Sequence, residues 1–210
     1  MSVRIKTYPY GPLGANMYAV FSDTAFIVID PCVGSSKVDT DLQLEAIFIT
    51  HGHFDHFSSL DEWKAKYPDA PVYLHEDDIQ CLSSSKANLS SDFGYDCSCA
   101  AGALPLSEVK GKTFLGEVTF DYLHTPGHSK GSSCLLFTAG STKLMFSGDM
   151  LFSGSIGRTD LYGSSVPSMM ASITALKEIK EQYEVYPGHG PATMLQREKA
   201  TNPFFRGMIS

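Results

Sequence analysis

Three scarcities narrow this 210-residue chain before any motif is considered. No apolar run approaches the roughly 20 residues needed to span a bilayer, so no membrane span or membrane partner is expected. The opening stretch "MSVRIKTYPYGPLG" carries basic residues with no apolar segment behind them, and does not read as a secretion signal. Positive charge is short: 16 Lys and Arg face 23 Asp and Glu, leaving a net charge of −7. A nucleic-acid partner is therefore not expected, although a small anionic substrate responds to local charge and stays open. Cysteine is sparse as well. The five (Cys32, Cys81, Cys97, Cys99 and Cys134) are odd in number and scattered, which fits a reduced, cytoplasmic setting better than a disulfide framework. The "CSC" at 97–99 lacks C-x-x-C spacing and reads as two loop thiols.

What is present is an ordinary globular composition, 43% apolar and 19% charged, of a length that suits one domain over residues 1–210. "NMYAVF" and "AFIVID" around "SDT" predict a hairpin, and "EAIFIT" a strand buried on both faces. Phe57, Leu60, Trp63 and Tyr67 recur at helical spacing until Pro68. "APVYLH", "EVTFDYLH", "SSCLLFTA", "TKLMFSGD" and "EVYP" predict further strands, and residues 83–102 a long loop with one helical turn. Val166, Met169, Ile173, Leu176 and Ile179 mark an amphipathic helix capped by Ser165, with Met169 and Met170 both assigned to its packing face. "MLQREKATN" closes the chain as a polar helix. The pattern is α/β, with much of the sheet antiparallel.

Histidine is concentrated where chemistry would need it. Three of the seven histidines stand in "THGHFDHF", residues 50–57, directly after a predicted strand. "TPGHS", "SGDM" and "YPGHGP" follow strands in the same way, and ligands in α/β folds gather beyond strand ends. Together these loops offer His51, His53, Asp55, His56, His128, Asp149 and His189. Imidazole and carboxylate without thiolate suit a catalytic ion, with zinc foremost and iron or manganese as the other fits. Seven ligands exceed one tetrahedral shell and match two divalent ions sharing a carboxylate. Positions 51 and 53 can serve one ion while 55 and 56 turn to another. Glycines at 52, 127, 148, 188 and 190 let the backbone turn sharply and come close.

"THGHFDH" resembles the H-x-H-x-D-H signature of the metallo-β-lactamase superfamily, and the later His, Asp and His come in that superfamily's order. "GRTDL" at 157–161 and "NPFFRG" at 202–207 resemble the glyoxalase II branch, especially its short single-domain members. The resemblance implies a four-layer αβ/βα sandwich with mixed sheets and the site at one sheet edge. It assigns His51, His53 and His128 to a first metal, Asp55, His56 and His189 to a second, and Asp149 to both. It also places Asp30 as an acid that hydrogen-bonds a metal-ligating His, against the plainer reading of a strand-end turn. His75 reads as a solvated or capping residue. His124 reads as support for a ligand or simple packing. Arg158 and Asp160 read as an ion pair bracing the Asp149 loop, and "NLSSDFG" at 88–94 as part of a lid. Cys32 and Lys130 depart from the usual glycine and proline, and are expected at the pocket rim.

A hydroxide shared by two ions is a strong nucleophile at neutral pH. Asp149 would hold both ions, and Asp55 would take up a proton as the intermediate collapses. A thiolate leaves almost unaided, because the parent thiol has a pKa of about 8.5, whereas an amine must first be protonated. The reading is a hydrolase of a small-molecule thioester, S-lactoylglutathione or a related hydroxyacyl thioester. Full-length glyoxalase II has a helical extension that contacts glutathione, and with the sequence ending at Ser210 a smaller or different thiol is expected. The alternatives are a mononuclear-iron persulfide dioxygenase and a non-catalytic metal-binding protein. Oligomeric state is not legible.

Overall fold

The computed structural model describes residues 3–207. From Arg4 onward the opening stretch is a strand, while Met1 and Ser2 lie outside the described residues. The first sheet holds six strands in chain order: β1 (Arg4–Tyr10), β2 (Ala15–Phe21), β3 (Ala25–Ile29), β4 (Gln43–Phe48), β5 (Val72–Leu74) and β6 (Leu104–Pro105). Its first three strands pair antiparallel and the remainder parallel. In the second sheet β7 (Thr113–Phe114), β8 (Val118–His124), β9 (Ser133–Ala139) and β10 (Thr142–Gly148) are antiparallel neighbours. A small ribbon of β11 (Leu151–Phe152) and β12 (Ser155–Ile156) follows. Then β13 (Glu184–Pro187) joins β10 in parallel, and β14 (Thr193–Met194) closes that edge.

Three apolar clusters separate four layers. Along β2, Met17, Ala19 and Phe21 pack outward against Phe57, Leu60 and Trp63 of helices α1 (Phe54–Phe57) and α2 (Leu60–Lys66). The alternate residues Tyr18 and Val20 face the second sheet, as the two-residue period of a strand requires. There Phe48, Phe120 and Phe137 lie with ring centroids 4.8–5.4 Å apart and join the sheets face to face. Beyond the second sheet, Cys134, Met145 and Val185 pack against α3 (Val166–Glu178) and α4 (Leu195–Thr201). This is the expected αβ/βα sandwich with mixed sheets.

At one edge the sheets are stitched together. The Asn16 side-chain amide donates to the carbonyls of Pro187 (3.1 Å) and Gly190 (2.9 Å), and the Tyr18 hydroxyl donates to Pro187 (2.6 Å). The Asn16 backbone amide reaches the Gly188 carbonyl at 2.7 Å. The strand ends carrying the histidines are thereby fixed relative to one another.

One strand went unread in the sequence, and one expectation needs correction. Strand β1 was not legible: it is an edge strand whose residues are half-exposed or exposed, so it lacks an apolar alternation, and it carries Pro9, which an edge tolerates. On α3, Ser165 caps as expected, accepting the Ser168 amide at 3.3 Å. Met169 is buried, but Met170 is 41% exposed and Val166 is 56% exposed. Adjacent helical residues point about 100° apart, so both methionines cannot share one face. Met169→Ala should destabilise the protein by about 2–5 kcal/mol in urea unfolding, and Met170→Ala by no more than about 0.5 kcal/mol. Equal effects would contradict this packing.

Candidate metal centre

The strands β8, β10 and β13 run in one direction, so their C-terminal ends share an edge. There the loop after β4 brings His51, His53, Asp55 and His56, and the loops after β8, β10 and β13 bring His128, Asp149 and His189. All seven candidates meet. Three groups within them place ligand atoms within 4.8 Å of one another: His51 with His53 and His128, His51 with His56 and Asp149, and Asp55 with His56 and His189.

The outward ring atoms decide which nitrogens face inward. Asp30 accepts the Thr50 amide (2.7 Å) and the Thr50 hydroxyl (2.8 Å), so that hydroxyl is free to accept from Nδ1 of His51 at 3.1 Å. His56 Nδ1 donates to Asp30 at 2.9 Å, His128 Nδ1 to the Arg158 carbonyl at 2.9 Å, and His189 Nδ1 to the Leu13 carbonyl at 2.9 Å. Four imidazoles thus turn Nδ1 outward as a donor and Nε2 toward the centre. His53 is the exception: its Nδ1 stands 3.1 Å from His51 Nε2 and 2.9 Å from His128 Nε2. At most one of those contacts can be a hydrogen bond in the neutral rings. Lone pairs crowded this closely call for a cation between them.

The second group is built around carboxylates. Asp149 places one oxygen 3.4 Å from His56 Nε2 and the other 3.3 Å from His128 Nε2 and 3.4 Å from His189 Nε2. It therefore touches both groups. Asp55 lies 3.4 Å from His189 Nε2 and 3.8 Å from His56 Nε2. Two atoms here, His56 Nε2 and Asp149 Oδ1, are buried with no hydrogen-bond partner. Buried polar atoms are seldom orphaned, and a divalent ion would satisfy both. The residues fit the metal centre that the donor chemistry implies.

Burial, then the neighbouring imidazoles, holds His51 well below its ordinary pKa and His53 at about 3. These rings are neutral and ready to coordinate. Burial acts the same way on His56 and His189, but the carboxylates outweigh it and raise them to about 9 and about 11. Burial in turn works against ionised Asp55 and Asp149, yet the facing imidazoles win and keep both carboxylates ionised. In the second group the carboxylates therefore favour protonated imidazoles, and a cation binding there would compete with those protons.

The supporting shell contains a residue the sequence did not disclose. Asp78 is buried and accepts the Gly52 amide (2.8 Å), the Gly131 amide (2.8 Å) and the Ser129 hydroxyl (2.6 Å). It ties the backbone between His51 and His53 to the turn that carries His128. Within "EDD" nothing marks it, because its donors come from distant loops. A Cβ at Gly52 would stand 2.5 Å from Cys81 Cβ, and one at Gly188 would run into Asp149 Oδ1 and His56, so these close approaches need glycine.

The remaining candidates sort plainly. Asp30 supports His56, at a left-handed φ of 53°. His75 caps the 3₁₀ turn Glu76–Ser83 but is buried rather than solvated, and its ring stacks on His124 at 3.9 Å. His124 donates to or accepts from none of the seven; its Nε2 pairs with the Lys130 carbonyl at 2.8 Å. Arg158 and Asp160 do pair, at 2.6 and 2.7 Å, but in solvent; the Arg158 carbonyl, not its side chain, braces the site through His128. Cys32 is buried beneath β2 with its thiol toward the Ala15 carbonyl, not at the rim, whereas exposed Lys130 lines a recess beside His53. Residues 83–102 hold the expected turn at Ser90–Phe93, and Leu89 and Phe93 border the centre.

A family model described as the metallo-beta-lactamase superfamily matches residues 10–189. The chain belongs to this superfamily. A superfamily relative from Bacillus subtilis, "Probable metallo-hydrolase YqgX", is 37% identical over 208 residues, covering 96% of this chain and 97% of the relative. The solved structure of the BLEG-1 B3 metallo-beta-lactamase is 34% identical, covers 96% of this chain and 99% of its own, and superposes with a TM-score of 0.86. "Hydroxyacylglutathione hydrolase GloC" from Haemophilus influenzae is 30% identical over 184 residues, 84% of this chain and 85% of that protein.

Two outcomes follow from this geometry. Asp78→Asn should weaken metal affinity about 10- to 100-fold in chelator competition while leaving every candidate ligand in place. Calorimetric metal titration in buffers of different ionisation enthalpy should show proton release growing as the second equivalent binds. A cation must displace protons from His56 and His189, and lower pH should therefore empty that group first.

Proposed function

We propose that this chain is a metal-dependent hydrolase of acyl thioesters, with S-lactoylglutathione or a related hydroxyacyl thioester as its substrate. Two divalent ions are the proposed cofactors, zinc first among them. His51, His53 and His128 would hold one, Asp55, His56 and His189 the other, and Asp149 both. Bound ions of this kind acidify water into a nucleophile and polarise a carbonyl.

One observation carries the choice of leaving group. A cavity of about 190 Å³ opens over the centre, and its titratable lining, among the described residues, is Asp55, His53, His128, Asp149, His189 and Arg158. All but Arg158 belong to the cluster, and the Arg158 guanidinium is engaged by Asp160. No further acid stands ready to protonate an amine. A thiolate does not need one, since its parent pKa is about 8.5. In this reading Asp55, ionised and partly exposed, takes up a proton as the intermediate collapses. Leu13, Leu89 and Phe93 give the cavity an apolar wall that limits water around the reacting carbonyl. The similarity to a hydroxyacylglutathione hydrolase supports the same reading.

The test is elemental analysis after anaerobic purification, followed by a panel of thioesters, β-lactams and persulfides. Two ions per chain and cleavage of S-lactoylglutathione are expected, with β-lactams turned over far more slowly. A single iron, with oxygen consumed on persulfide, would replace this reading with the dioxygenase. Within the hydrolase, Asp149→Ala should lose more activity than Asp30→Ala, for which about 10- to 100-fold is expected, because Asp149 faces both groups directly and Asp30 acts at one remove, orienting His56 and, through Thr50, His51. Equal losses with full metal content would refute the shared role of Asp149.

A further inference from the structure

A second and larger cleft, about 480 Å³, adjoins the cavity over the centre: Leu13, Phe54, Asp55 and Phe93 line both spaces. One wall is the turn between β1 and β2, with Tyr10 and Leu13. The other is the segment holding Phe93 and Tyr95, whose rings lie 5.4 and 6.1 Å from Phe54. Tyr10, Leu13, Phe93 and Tyr95 are 56%, 41%, 51% and 59% exposed, which puts half of the large exposed apolar side chains among the described residues on this one feature. Exposed apolar groups clustered in this way mark a binding surface.

Charge then restricts what can bind. The charged residues lining the cleft, among those described, are Asp55 and Asp96, both acidic. The lysines near the centre, Lys86 and Lys130, line a different recess that includes His53. With Asp55 turned to the metal group, Asp96 is the free charge in the cleft, so an anionic group would meet a carboxylate and no basic side chain, whereas an uncharged apolar group would cover the four exposed side chains.

Resting on the hydrolase reading above, we propose that this cleft is the subsite for an uncharged aromatic or branched aliphatic group of the thioester, and that it selects against an anionic group such as the glutathionyl moiety at that position. The apolar group could be borne by the acyl part or by the thiol part. Binding energy from this non-reacting portion would orient the carbonyl over the centre.

The experiment uses the metal-loaded protein with two thioester series: lactoyl, butyryl and phenylacetyl on one small neutral thiol, and lactoyl on glutathione or on a benzyl thiol. One phenyl group should raise kcat/KM by about tenfold or more on whichever side enters the cleft, which identifies the source. That gain should disappear in Tyr10→Ser/Tyr95→Ser, exposed positions that line the cleft but not the cavity over the centre, while metal content is measured to confirm that the centre is intact. Asp96→Lys should improve the glutathione thioester relative to the benzyl one. Binding is read separately by calorimetry with ketone analogues in which a methylene stands between carbonyl and sulfur, so that hydrolysis cannot occur. If no thioester is turned over but the phenyl analogue still binds at least tenfold tighter than the lactoyl one, and the double variant abolishes the difference, the hydrolase reading fails and the subsite stands. Equal binding and equal kcat/KM across both series, or a phenyl preference unaffected by the double variant, would overturn the subsite.

Discussion

Five imidazoles and two carboxylates face one another at a single sheet edge, and their outward atoms hold them there. Asp30, Thr50, the Arg158 carbonyl and the Leu13 carbonyl occupy Nδ1 of four rings and leave each Nε2 turned inward. Converging lone pairs repel, and ionised carboxylates buried beside them are costly without a cation. Packing energy from the three apolar clusters has to sustain that arrangement until an ion or protons relieve it. The aromatic contact between the sheets and the stitches from Asn16 and Tyr18 keep the opposing strand ends at a fixed separation.

The two groups of ligands differ in electrostatic character although they share Asp149. His51 and His53 are kept neutral by burial among other imidazoles, and the second group keeps its protons because Asp55 and Asp149 hold them. The first group therefore offers neutral donors, and in the second a cation would compete with protons. Asp78 adds a mechanical link, since one carboxylate fastens the loop of the first histidines to the turn of His128. Around this shared centre the surroundings are uneven: lysines border the recess beside His53, and exposed aromatics border the cleft beside Asp55.

Much of this was legible in the chain itself. Strands β2, β3, β4, β8, β9 and β10 show apolar runs or alternation, and the motif loops follow β4, β8, β10 and β13 directly. The seven candidates were legible because residue type and spacing carry coordination chemistry, and the superfamily order partitioned them. Legibility ended where a partner is distant in sequence. Asp78 reads as one acid among three until Gly52, Ser129 and Gly131 surround it. Met170 looks like Met169 until the helix rotates it toward solvent. Arg158 and Asp160 pair as adjacent opposite charges suggest, yet the contact that matters to the site is a backbone carbonyl, which no sequence pattern advertises.

By itself the sequence determined the α/β class, the donor set and its lack of thiolate, because composition and periodicity are local properties. Tertiary structure decided which nitrogen of each imidazole faces inward, which carboxylate touches both groups, and which wall of the centre is apolar. Those depend on hydrogen bonds and contacts between residues up to 176 positions apart, as between His189 and Leu13, and such pairs exist only once the two sheets have closed on each other.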